Sequence, residues 1–419
     1  MHEFIIIFHA LWQLLTGIIK EFWWILLPFL LFWIFKSLLK KYHQILKIED
    51  SQYSCLEIKF SAEAAQKPLQ FLELFFNSLK NIKLEDNQNI SLEIVGKDKL
   101  LRFILRVPIK IRDLISIALY SQYPNITIVE INDYLNDLPP YIPNKNYDLW
   151  YKEYKYKKPS PFPILTYESF FNIQSQMKTA PKDALEQIIF DPYSTLLELL
   201  QKAQSQDLII IQIVIRNLND LEKQEWDFIS KTIYNPLIGK EPPQKPAALG
   251  SKILKDFISS MIPAVSSRSS ENKGEKPKTL TENDKQLAEK VENKINGINF
   301  VTSIRVAYIW PRNHKTEVIP SSLELFIKQF NTTTNALEEI SDQNSQLKIS
   351  KWLPAKNISQ NDNYLKLKER RQNKEVMIMS AKELASLFHF PFQNIYFSSI
   401  IWEKNKRGFP PQNLPIIHN

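Results

Sequence analysis

Residues 91–107 read SLEIVGKDKLLRFILRV. Two strand-like runs, Ser91–Val95 and Leu100–Val107, flank a turn at Gly96–Lys97–Asp98, the pattern of a β-hairpin. Outward from it on the N-terminal side, Cys55–Phe60 (CLEIKF) alternates apolar and polar residues at period two, and Pro68–Lys80 repeats Leu69, Leu72, Phe76 and Leu79 at helical spacing. On the C-terminal side Ile109–Gln122 predicts a helix and Asn125–Ile131 (NITIVEI) another strand. The order is β-α-β-β-α-β, the split βαβ or ferredoxin-like pattern.

The second half repeats it with an interruption. A proline-rich connection around Pro139, Pro140 and Pro143 leads to a strand at Tyr147–Lys157, then a helix at Pro192–Gln201 and a buried strand at Leu208–Asn217 (LIIIQIVIRN). An amphipathic stretch near Glu222–Tyr234 and a polar surface segment, Ser266–Lys278, intervene. Thr281-x-x-Asp284 starts a helix over Lys285–Asn296 that stops at Gly297. Phe300–Trp310 is the next strand, Ser322–Asn331 a helix, Glu375–Met379 a strand and Ala381–His389 a last helix ahead of Pro391. The expected fold class is therefore α+β: two tandem ferredoxin-like modules, residues 48–140 and 141–400, the second carrying a polar insertion around 218–280, followed by a tail over 401–419.

Composition agrees with folded modules. Hydrophobic residues make up 44% of the 419-residue chain and charged residues 23%, near globular averages. Lys and Arg number 53 against 45 Asp and Glu, an excess that suits anionic lipid or nucleic acid. Cys55 is the single cysteine, so there is no internal disulfide and no zinc site built on cysteine pairs.

Residues 22–35, FWWILLPFLLFWIF, carry no charge. A helix over Phe22–Leu39 would span roughly 27 Å, near the hydrocarbon thickness of a bilayer. Trp23, Trp24 and Trp33 lie towards its ends, where indoles favour the interface, Pro28 introduces a kink that membranes tolerate, and Lys36 can snorkel. The basic run Lys36, Lys40, Lys41 and Lys47 places the downstream body on the cytoplasmic side of the inner membrane by the positive-inside rule. Ahead of this span, His9, Gln13, Thr16 and Lys20 form one polar stripe on Phe4–Ile19, so residues 1–47 read as an anchor made of an amphipathic helix and a transmembrane helix, or as one long tilted helix.

Several segments in order, FWWILLPFLLFWIF, CLEIKF, SLEIV, ISIALYSQYP before ITIVEINDY, YDLWYKEYKYKKPSPFPILTY, DPYSTLLELL, IQIVIR, INFVTSIRVAYIWP, FIKQFN and SAKELASLFHFP, together resemble a family of membrane-anchored proteins of reduced-genome bacteria associated with type IV secretion and conjugation-type ATPases. The resemblance implies a membrane-proximal domain beside a hexameric DNA-translocating motor, and a structural rather than catalytic role. Longer members continue into a nucleotide-binding domain, whereas this sequence ends at Asn419, so the expected motor ATPase is a separate chain. Homo-oligomerisation alongside such a motor is the corresponding expectation.

Catalytic motifs are missing. There is no G-x-x-x-x-G-K-[ST] phosphate loop and no G-x-S-x-G nucleophile elbow, and the six histidines never show metal-ligand spacing. No enzyme activity, catalytic residue, metal or cofactor is therefore expected. His389 in LFHFP reads as a packing or helix-capping residue, and Cys55 as a buried thiol. The basic cluster Lys366, Lys368, Arg370, Arg371 and Lys374 (KLKERRQNK over 366–374) is the candidate contact for nucleic acid or anionic lipid; Lys404, Lys406 and Arg407 form a second. The alternation of Tyr147, Trp150, Tyr151, Tyr154 and Tyr156 with Lys152, Lys155, Lys157 and Lys158 fits either base stacking or, preferably, a sheet strand with Trp150 and Tyr156 facing a core. The alternative function is a membrane-tethered, DNA-binding module without a motor.

Overall fold

A computed structural model of the chain describes residues 28, 31–33, 35–36, 53–85, 88–169, 191–243, 282–340, 355–373, 375–391 and 400. The strands are β1 (Tyr53–Phe60), β2 (Ile90–Lys97), β3 (Leu100–Pro108), β4 (Ile126–Ile131), β5 (Tyr147–Tyr156), β6 (Leu208–Asn217), β7 (Asn299–Pro311), β8 (Leu337–Glu339) and β9 (Met377–Ser380). The helices are α1 (Ala62–Ala65), α2 (Gln70–Leu79), α3 (Arg112–Gln122), α4 (Tyr193–Lys202), α5 (Asp220–Leu237), α6 (Glu282–Asn296), α7 (Val318–Lys328), α8 (Ala355–Glu369) and α9 (Ala381–Leu387).

All nine strands belong to one antiparallel sheet in the order β4-β1-β3-β2-β6-β7-β5-β8, with β9 on β7. The halves expected on either side of residue 140 thus share a single sheet. Their junction is the β2–β6 ladder, running from Ile90 opposite Ile215 to Lys97 opposite Leu208. Outward from that ladder the order is the same both ways: β2, β3, β1, β4 on one side and β6, β7, β5, β8 on the other.

Period-two alternation divides each strand between two cores. Leu56, Ile58 and Phe60, with Ile209, Ile211, Ile213 and Ile215, join Phe75 and Phe76 of α2, Leu196 of α4, Leu323 of α7 and Leu384 of α9. Their neighbours Cys55, Val95, Leu208 and Ile210 face the other way, into a core closed by Tyr134, Leu135 and Ile142 and by Tyr364 and Leu367 of α8. Gly96 is not a turn residue as its sequence position implied. The reversal falls at Asp98 and Lys99, whose φ values are +52° and +62°, while Gly96 lies within β2, where a methyl group would collide with Leu200 of α4. The glycine lets a helix of one half press on a strand of the other.

Two expectations change in the second half. Its fourth ladder strand is the short β8 beside β5, whereas Met377–Ser380 pairs with the start of β7. Helix α8 was not foreseen. From the expected insertion, α5 packs on the following α6 through Ile229, Ile233 and Val291; Asn219 caps α5 in a reciprocal capping box with Glu222. Segment 266–278 and the tail 401–419 lie outside the described residues, save that the preceding Ile400 is buried.

The predicted bilayer-spanning helix falls mostly outside the described residues, among which no helix is long and apolar enough to cross a membrane. Of the anchor residues, Pro28, Trp33 and Lys36 are described as helical and exposed, while Trp23, Trp24, Lys40 and Lys41 lie outside the described residues. Residues 1–52 cluster apart from the unit Tyr53–Asn419.

Candidate functional site

The face of the sheet away from α2 and α4 carries an unusual transverse row. Strand register aligns Glu57 of β1, Ile104 of β3, Glu93 of β2, Gln212 of β6, Arg305 of β7 and Glu153 of β5 across six neighbouring strands. Glu93, Gln212 and Arg305 are fully buried. Polar side chains so placed must find partners inside the protein, because an unpaired buried charge costs several kcal/mol, on the order of 3–5.

Those partners come from the C-terminal end of α8. Arg370, with no solvent exposure, donates from Nε to Glu93 Oε1 at 2.9 Å and from Nη1 and Nη2 to Asp133 at 2.6 and 2.8 Å. Ser91 Oγ (2.7 Å), Tyr134 Oη (2.7 Å) and Gln212 Nε2 (3.0 Å) also donate to Glu93. Arg370 sits at φ +52°, in the left-handed region where glycine is usual after a helix. The helix closes as a Schellman turn, with Arg370 N on Leu367 O at 3.3 Å and Arg371 N on Lys366 O at 3.2 Å. The ion pair therefore holds an arginine in a backbone conformation that costs a side-chain-bearing residue about 1 kcal/mol.

Arg305 completes the attachment. It donates to Lys366 O (2.6 Å), Asn373 Oδ1 (2.7 Å) and Arg371 O, and Ser303 Oγ accepts from Asn373 N at 2.9 Å. Gln212 Nε2 also reaches Leu367 O at 3.2 Å. Two atoms of register-paired residues have no partner among the described residues, Gln212 Oε1 and Arg305 Nε, one an acceptor and the other a donor.

The electrostatics favour fixed charge over proton transfer. Burial alone would raise the Glu93 carboxyl, but Arg370, Ser91 and Tyr134 hold it down at about 2. Burial pushes the Tyr134 phenol well above its usual range. Burial, reinforced by Asp133, raises the Cys55 thiol to about 12, so it stays a thiol at neutral pH and is no nucleophile. His389 is buried as expected, with Nδ1 2.9 Å from Ser386 O and Nε2 3.3 Å from Asp191 Oδ1. Among the described residues no group of three or more His, Cys, Asp or Glu side chains could hold a metal ion. The arrangement can clamp α8 onto the sheet; it offers no acid, base or nucleophile poised near neutrality.

Of the expected basic contact residues, Arg370 is corrected by this geometry. Arg370 is the buried centre of the clamp. Lys366 pairs with Asp362 at 3.3 Å, Arg371 pairs with Glu369, and Lys368 is half-buried on α8. Lys374 lies outside the described residues, as do Lys404, Lys406 and Arg407. The aromatic run 147–156 is the interior strand β5. Tyr154 and Tyr156 are buried with Trp150 packed beside them, Lys152 pairs with Glu324 at 2.9 Å and with Glu339, and Lys155 pairs with Glu375 at 2.8 Å. Sequence reasoning passed over Glu93, Gln212 and Arg305, although each carried a signal: a charged or amide side chain within a mainly apolar strand.

No protein-family profile matches the chain, and no curated protein matches it significantly. The likeness to secretion-associated proteins rests on the sequence segments alone.

Proposed function

We propose that the chain is a non-catalytic, membrane-anchored scaffold of a type IV secretion- or conjugation-like transfer machine, in which residues 53–400 form two fused ferredoxin-like units that dock a separate motor ATPase at the cytoplasmic face of the inner membrane. The observation that carries the non-catalytic part is the buried polar row, in which Glu93 and Arg305 are bonded to the C-terminal end of α8 and the residues after it. The βαββαβ order of each half, with strand order β4-β1-β3-β2 and β8-β5-β7-β6, supports the ferredoxin-like reading. The anchor rests on the uncharged run Phe22–Phe35 and the basic residues after it.

The test is affinity purification of the tagged full-length chain from detergent-solubilised membranes. A conjugation-type ATPase co-purifying in fixed stoichiometry is the expected result; recovery of the chain alone, or in the soluble fraction without detergent, refutes the reading. The DNA-binding alternative loses support from the burial of Arg370 and the pairing of Lys366 and Arg371. Salt-sensitive DNA binding abolished by Lys368→Gln together with Arg371→Gln would reinstate it.

A further inference from the structure

Where β1 begins, β3 ends and the chain leaves β4, the described residues enclose an open cleft of about 520 Å³. Arg106 and Tyr53 form one wall, and Asn132 and Asn136 lie exposed at its rim. The Arg106 guanidinium lies 3.7 Å from the centroid of the Tyr53 ring, a stacking contact that fixes the plane of its donor fork.

Among the described residues that fork meets no hydrogen-bond acceptor. The Arg106 side chain is only 16% exposed, and its ionic partner Asp133 stands 3.7 Å from Nε, too far for a hydrogen bond. Asp133 already accepts two bonds from Arg370. The cleft's other carboxylate, Glu130, accepts from Ser54 Oγ at 2.5 Å and Arg112 Nη1 at 3.0 Å. A guanidinium carries five donors, and no Arg106 nitrogen is among the fully buried unpartnered atoms, so its free donors open into the cleft where a ligand can meet them. Burial, with the Arg370 cation nearby, lowers Arg106 from the ordinary arginine range, the mark of a charge whose compensation is incomplete.

We propose that this cleft binds a small hydroxylated monocarboxylate, its carboxylate gripped by Arg106 and its hydroxyl met by the Asn132 and Asn136 amides. A planar fork matches a planar pair of oxygens. Glu130 and Asp133 on the same walls disfavour a dianion such as phosphate, since like charge repels more strongly where water is scarce.

Ligand-observed saturation-transfer NMR on the full-length chain in a non-ionic detergent tests this, with lactate as probe and inorganic phosphate followed by ³¹P line width. The expected result is a saturable lactate signal and no saturable phosphate broadening. Arg106→Gln should weaken lactate binding about tenfold or more, as loss of a charge-assisted pair implies. Asn136→Trp, which fills the mouth from the rim without touching the core, should also weaken it. No saturable lactate signal, lactate binding unchanged in Asn136→Trp, or phosphate binding tighter than lactate would each overturn the proposal.

Discussion

The two faces of the sheet each bury an ion pair, and the pairs behave differently. On the face covered by α8, Arg370 and Glu93 meet with every charged atom supplied with partners. On the face covered by α2 and α4, Lys294 Nζ of α6 lies 2.8 Å from Glu383 Oε2 and 4.5 Å from the Tyr156 ring centroid. Glu383 already accepts from Tyr156 Oη, Ile164 N and Ser380 N, at 2.8–2.9 Å. Burial lowers the Lys294 ammonium in spite of its carboxylate neighbour, whereas Glu93 is held far down. A guanidinium cannot shed its charge and so demands a complete acceptor set; an ammonium can neutralise. The first pair should be a requirement of the fold and the second an adjunct to a carboxylate that is satisfied without it.

Arg370→Met offers the sharpest way to break that contrast. It strands the buried Glu93 carboxylate and should cost about 3–5 kcal/mol in denaturant unfolding. Arg370→Gly should be milder by about 1 kcal/mol, because it relieves the positive φ while losing the same ion pair; equal losses would show that backbone strain plays no part.

The acid limb comes next in size. The folded Glu93 carboxyl titrates at about 2 against an ordinary 4.5. Its stabilisation is therefore complete above pH 4.5 and is lost as pH falls towards 2, a swing of about 3 kcal/mol. Glu93→Gln should remove this part of the pH–stability profile, and an unchanged slope would contradict it. Gly96→Ala should cost about 1–3 kcal/mol by forcing Leu200 aside at the junction between the halves.

Lys294→Met should be the mildest, about 1–2 kcal/mol at neutral pH, since Glu383 keeps its other donors. Its pH dependence has the same sense as that of Glu93 but falls in the alkaline range rather than the acid one. The folded ammonium releases its proton below the ordinary 10.5, so wild-type stability relative to Lys294→Met should rise with pH up to that point. A loss as large as that of Arg370→Met would erase the distinction between the two pairs, and a fall with pH would contradict the lowered ammonium.

Much of the sheet was legible from local pattern. The strand at 55–60, the hairpin arms at 91–107, and the strands at 125–131, 147–157, 208–217 and 300–310 all fall on observed strands, because period-two alternation and apolar runs are local properties. The three-residue β8 carries too few residues for any period, and the polar α8 has no broad apolar stripe, with Tyr364 and Leu367 buried on it. The cluster KLKERRQNK looked like solvated charge because sequence cannot tell which arginine turns inward. Glu93 and Asp133 decide that, 277 and 237 residues away along the chain.

By itself the sequence determined the α+β class, the repeat of βαββαβ and the uncharged run at 22–35, all of which follow from periodicity and composition over short windows. Only the tertiary structure decided that the two repeats share one sheet through β2 and β6, that Gly96 is a contact rather than a turn, and that Arg370 is a clamp rather than a surface cation. Pairing between strands and desolvation of charge depend on partners brought together from distant positions, and no local window contains them.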